Sequence, residues 1–105
     1  MTTVELIRDG QALRGIRVSG HAGYAPAGGD IVCAAASVLI TTCANALESV
    51  AGIRPEVLQK SAMIAVALPG GLSPAQAHDA QVILAAIAQG FGDIAAQYPS
   101  YLQII

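Results

Sequence analysis

The chain has 105 residues, enough for one domain with a real core and little to spare. Hydrophobic residues make up 54% and charged residues 11%, against about a quarter in ordinary soluble domains, which excludes a disordered chain. The net charge is −2, with one lysine (Lys60) and four scattered arginines, so there is no basic stripe for direct nucleic-acid binding. So apolar a monomer would struggle to hide its surface, which predicts an oligomer, most simply a two-fold homodimer.

Residues 3–8, with Val4, Leu6 and Ile7, read as a first strand, and Asp9-Gly10 is a hairpin signal. A second strand, residues 12–19, alternates Ile16 and Val18 against Arg17 and Ser19. It delivers His21 to the end of a sheet. Residues 22–29, with Pro26, Gly28 and Gly29, form a loop. Asp30 then stands at the N-cap position of a helix expected over residues 31–50, stopped by Gly52. This helix is apolar almost all round apart from a stripe of Thr41, Asn45 and Glu48, so it is expected to be covered on most sides. Its apolar run, residues 31–47, is shorter than the roughly 20 residues needed to span a bilayer, and a buried helix is the better reading.

Arg54-Pro55 opens a second β region, a hairpin of residues 56–60 and 62–68 closed by Pro69-Gly70-Gly71. That glycine pair lacks the Lys-Ser/Thr of a phosphate loop. Ser73-Pro74-Ala75-Gln76 is a capping box with proline at the first helical position. The helix it starts carries Ile83, Ile87, Phe91 and Ile94 as an apolar stripe, with Gly90 and Gly92 as markers of close packing. Residues 101–105 read as a final strand. The order β-β-α-β-β-α-β gives an α+β domain over residues 1–105, a small mostly antiparallel sheet packed with two helices.

The residues with chemistry lie between Gly20 and Ser37. With Asp30 as cap, Cys33 falls in the first helical turn, where unpaired N–H groups and the dipole favour an anion. The thiolate is the nucleophilic form of cysteine, and a helix start and a nearby imidazolium both favour it. His21 supplies the imidazole if the loop folds back. Asp30 opposes the thiolate by its charge, and is left with either of two jobs: capping the helix or orienting His21. Ser37, four residues on from Cys33, shares its helix face and can bond to the sulfur or to a carbonyl one turn back. Cys43 lies ten residues from Cys33 on the same helix, too far for a disulfide, and reads as a small hydrophobe. Neither cysteine has zinc-type spacing, and His21, Asp30 and Cys33 are three mixed ligands without a fourth, so no metal or other cofactor is expected. Free thiols fit a reducing cytoplasm, and Glu5, Arg8 and Asp9 interrupt any signal peptide in the first ten residues.

The string Gly20-His21-Ala22-Gly23-Tyr24-Ala25, followed by Gly29-Asp30-Ile31-Val32-Cys33-Ala34, resembles the ribosomal-processing cysteine proteases of the Prp family. The length, the order of elements and the run Asn45-Ala46-Leu47-Glu48 extend the resemblance over the whole chain. It implies that His21 and Cys33 are the catalytic pair and that Asp30 and Ser37 support the site. It further implies a small dimeric bacterial enzyme that trims the N-terminal extension of large-subunit ribosomal protein twenty-seven after an apolar, phenylalanine-containing sequence. Ala27-Gly28-Gly29 makes the loop smaller than is usual in that family.

The expected reaction is amide hydrolysis through a thioester, with Cys33 as nucleophile and His21 as base and then acid. First-turn backbone N–H groups, such as that of Val32 or of Cys33 itself, can stabilise the oxyanion. Gly20, Ala22, Gly23, Tyr24, Gly28 and Gly29 form the substrate loop, and Tyr24 either stacks on substrate or anchors that loop. Two rivals remain, a non-catalytic ribosome-assembly or interaction module with an inert Cys33, and a different thiol acyl-transfer enzyme.

Overall fold

The computed structural model describes residues 1–26 and 28–105. Strand β1 (Thr2–Asp9) pairs antiparallel with β2 (Ala12–Ser19). Asp9 pairs with Ala12, so the two-residue turn is Gly10-Gln11, one position beyond the expected Asp9-Gly10. Helix α1 (Ile31–Ser49) follows, then the hairpin β3 (Glu56–Lys60) and β4 (Met63–Ala67), helix α2 (Pro74–Gln97) and β5 (Leu102–Ile104). The five strands form one sheet in the order β3-β4-β2-β1-β5. All neighbours are antiparallel except β1 and β5, which run parallel with Thr2 opposite Leu102 and Val4 opposite Ile104. The α+β architecture with its mostly antiparallel sheet agrees with the sequence reading.

The period-two pattern of the strands decides which sheet face is covered. Val4, Ile16, Val18 and Val66 are buried with the core residues of both helices. Glu5 and Arg17, opposite each other in the register, form an ion pair on the other face.

Helix α1 buries Val32, Ala36, Ile40, Cys43 and Leu47, one side of the cylinder. Its far side is less covered than expected: Ile31 is 51% and Val38 64% exposed. At 19 residues the helix is long and apolar enough to cross a membrane by length and composition, yet Cys43 and Leu47 are wholly inside the core and the helix packs against α2. It ends where Val50 donates to the Ala46 carbonyl and Gly52, at φ +66°, donates to the Glu48 carbonyl. That left-handed turn is open to glycine at little cost.

The capping box of α2 forms as expected. Ser73 Oγ accepts from the Gln76 N–H and Gln76 Oε1 accepts from the Ser73 N–H, both at 3.1 Å. The buried stripe is Ala80, Leu84, Ile87 and Phe91, with Ile83 and Ile94 only partly buried at its flanks. Gly90 marks a close helix–helix approach, since a Cβ there would lie 2.9 Å from Leu39 Cδ2. Gly92 has open space beside it, so the packing expectation fails at that position.

One polar side chain locks α2 to the sheet. Gln81 Oε1 accepts from the Leu13 N–H at 2.8 Å, and Gln81 Nε2 donates to the Leu13 carbonyl at 2.7 Å. Gln81→Met keeps the shape but strands both partly buried backbone groups, which costs about 1–3 kcal/mol for an orphaned group. Denaturant unfolding should show a loss of that size; a change below about 0.5 kcal/mol would mean that water replaces the amide freely.

Candidate active site

The site is built where the end of β2 meets the start of α1. Gly20 turns the chain out of the sheet at φ +82°, and its N–H donates to the Ala62 carbonyl at 2.9 Å. A Cβ at Gly20 would sit 2.6 Å from the Met1 carbonyl oxygen, so neither the backbone angle nor the space admits a side chain. The next residue, His21, is exposed, and its carbonyl accepts from the Met1 nitrogen at 2.6 Å. Ala22 then turns inward and is only 3% exposed. Its N–H donates to Cys33 Sγ at 3.3 Å. The loop has folded back onto the helix start.

Asp30 holds that arrangement with both carboxylate oxygens. Oδ1 accepts from the N–H groups of Val32 at 3.0 Å and Cys33 at 2.9 Å, which is the N-cap bond of α1. Oδ2 accepts from the Tyr24 N–H at 3.0 Å and the Ala25 N–H at 3.5 Å, which clips the loop to the cap. Of the two jobs open to Asp30, the geometry gives it capping, together with a hold on the loop. The Cys33 N–H, first, and then those of Tyr24 and Ala25 and the Cys33 thiol hold its carboxyl below the usual aspartate range, against a desolvation that pushes the other way.

The same bonds change the expected oxyanion site. The N–H groups of Val32 and Cys33 already point at Asp30, and the Ala34 N–H is bound to the Asp30 carbonyl. The Val32 and Cys33 donors are engaged by the cap, and that of Ala34 by the first bond of the helix ladder.

Tyr24 packs its ring edge-on against Tyr98 at 5.7 Å and Tyr101 at 5.2 Å between centroids. It anchors the loop on the corner between α2 and β5. Tyr98 and Tyr101 were not singled out by sequence reading, which had no pattern linking them to a loop over seventy residues away. Gly28, at φ +87°, and Gly29, whose N–H donates to the Pro26 carbonyl at 3.0 Å, complete the described loop. Ala27, the third of the small residues noted in the sequence, lies outside the described residues.

Two clefts have Cys33 in their walls. One, of about 220 Å³, runs toward the β3–β4 turn over Val18, Ala36, Ile40, Met63 and Ile64, with Lys60 and Gln59 at its edge. The other, of about 540 Å³, runs under the loop past Gly23, Ala25, Gly28, Asp30 and Ala34. His21, Cys33 and Ser37 line both. The contribution of the β3–β4 hairpin was missed, because only the sheet order β3-β4-β2 brings it beside residue 20. Cys43, by contrast, lies in the core, where burial pushes its thiol up to about 11, and takes no part in the clefts. Among the described residues no three or more histidine, cysteine, aspartate or glutamate side chains are grouped to hold a metal ion.

The family model for the cysteine protease Prp matches residues 1–103. The chain belongs to the Prp cysteine protease family. Its fold is similar to that of an essential ribosomal processing protease Prp from S. aureus in complex with a covalently linked product peptide, with a TM-score of 0.86 and 23% identity over 99% of this chain and 97% of that one. A second S. aureus Prp structure, in complex with a substrate peptide, gives a TM-score of 0.81 and 22% identity over 100% and 98% of the two chains. SMU.848 from Streptococcus mutans is 26% identical over 99% of this chain and 91% of that one, with a TM-score of 0.83. No curated protein matches the chain in sequence.

Two predictions follow from the geometry at Gly20 and Asp30. Gly20→Ala should displace His21 and lower turnover at least tenfold while the protein stays folded by circular dichroism; wild-type turnover would show that the β2 exit tolerates a side chain. For Asp30, a carboxyl lowered from 3.8 in the folded state stabilises the protein above about pH 4, and that contribution is lost as the pH falls through the lower folded value. In Asp30→Asn the cap survives through Oδ1, but an Nδ2 donor faces the Tyr24 N–H. The Tyr24 amide NMR shift should therefore titrate below pH 3.8 in the wild type and stay flat in Asp30→Asn, and the gap in melting temperature should close on acidification. A flat wild-type profile would remove Asp30 from the loop.

Proposed function

We propose that the protein is a cysteine endopeptidase in which Cys33 attacks the scissile carbonyl and His21 takes the thiol proton and returns it to the leaving amine. The observation that carries this reading is that His21, Cys33 and Ser37 are the residues common to two open clefts. A peptide cut in its interior must continue on both sides of the nucleophile, and an enzyme acting on a small acyl group has no use for a second cleft. The apolar cleft over Val18, Ile40 and Ile64 suits an apolar segment of substrate, and the second cleft, walled by glycine and alanine, suits small residues.

The substrate in this reading, as the resemblance to the Prp family implies, is the N-terminal extension of large-subunit ribosomal protein twenty-seven, removed during ribosome assembly in the bacterial cytoplasm. Both cysteines are free, which fits that compartment. Ser37 supports the site from one helical turn beyond Cys33. The active form is a homodimer, for which the exposed Ile31 and Val38 on α1 offer apolar surface.

Mass spectrometry of an extended ribosomal protein twenty-seven incubated with wild type, Cys33→Ala and Cys43→Ala tests the reading. A single cut made by wild type and Cys43→Ala, and absent with Cys33→Ala, is expected. No cut with Cys33 still alkylated rapidly by iodoacetamide would favour a thiol acyl-transfer enzyme, and no cut with an inert Cys33 would favour the assembly module.

A further inference from the structure

We infer that the backbone N–H of Ala22 is the oxyanion donor of this site. The inference rests on the thiol-protease reading above and replaces the first-turn donors, which the cap occupies. Ala22 is 3% exposed, and the partner of its N–H is the Cys33 sulfur at 3.3 Å. A thiol sulfur is a weak acceptor, so a buried amide donor is held against a partner that satisfies it poorly. On attack, the Sγ–C bond forms and the carbonyl π pair moves onto oxygen. That oxyanion lies two bonds from Sγ, within reach of a donor that already points at the sulfur. The charged oxygen is a far better acceptor than the neutral thiol, so the bond is stronger in the adduct than in the resting thiol, which is the differential binding that accelerates a reaction. Collapse re-forms the C=O bond and breaks C–N, and the amine departs with the proton that His21 took from the thiol.

The donor is also fixed before reaction. On one side Gly20 is bound to Ala62 and the His21 carbonyl to the Met1 nitrogen. On the other, the N–H groups of Tyr24 and Ala25 are clipped to Asp30. Such clamping means that little reorganisation is needed when charge develops.

The test replaces Ala22 by L-lactate in a chain assembled by chemical ligation at Cys43, exchanging one N–H for an ester oxygen and changing no side chain. Loss of one oxyanion donor should lower kcat by about 100- to 1000-fold. Affinity for acetyl-phenylalaninal, whose hemithioacetal carries the oxyanion, should fall by a comparable factor, while binding of uncut peptide to the same ester chain bearing Cys33→Ala stays unchanged. An unchanged kcat overturns the inference, and so does an equal loss in all three readouts, which would mark a collapsed loop. A measurement on the unaltered protein stands beside it: the ¹⁵N-labelled Ala22 amide proton should move downfield when acetyl-phenylalaninal binds, and no movement overturns the assignment even where the ester chain fails to fold. If the wild type binds the aldehyde with that shift yet cuts no peptide, the protease reading fails and the donor assignment stands.

Discussion

The site depends on one carboxylate serving two backbone segments. Asp30 closes the N-terminus of α1 with one oxygen and gathers Tyr24 and Ala25 with the other. Two loop residues and a helix turn would otherwise leave four N–H groups to water, and a loop so rich in glycine has much conformational entropy to lose on ordering. Charge-assisted bonds to backbone amides are among the stronger hydrogen bonds, so a single side chain offsets part of that cost. Cys33 and Ala22 meet because both are attached to segments that Asp30 holds.

A tension remains inside this arrangement. A negative carboxylate beside a cysteine opposes formation of a second anion, and the sequence position of Asp30 made that conflict visible at once. The structure eases it by surrounding the carboxylate with N–H dipoles, so that its charge is spent locally. The sulfur receives its own donor from the other side of the loop. Each anion, standing or developing, has separate amides.

Much of this was legible in the sequence because the signals were local. The Ser73–Gln76 capping box, the Asp30 cap and the alternating strand of residues 12–19 each follow from chemistry within a few residues, and each lies where the sequence places it. The Prp family and the α+β fold were also readable, from the Gly20–Ala34 string and the order of elements. What stayed hidden was set by tertiary placement. The Lys60–Met63 corner reaches the cleft through strand pairing, Tyr24 finds Tyr98 and Tyr101 across the fold, and Gln81 finds Leu13 across 68 residues. The choice of amides around Cys33 was hidden for a different reason. Periodicity says that first-turn donors are free in an isolated helix, and only the side-chain geometry shows which oxygen has taken them.

The parallel pairing of β1 with β5 joins residues a hundred positions apart, such as Thr3 and Gln103. Closing so long a stretch of chain is entropically costly, and reliance on contacts of that range slows folding. Tyr98 and Tyr101, which seat Tyr24, lead directly into that last strand. The loop over Cys33 thus rests beside the strand of the sheet that is most remote in sequence. An excursion that peels β5 away would unseat Tyr24 and loosen the surroundings of Cys33 while α1 stays in place, so a sub-global opening at one end of the sequence reaches the thiol at the other.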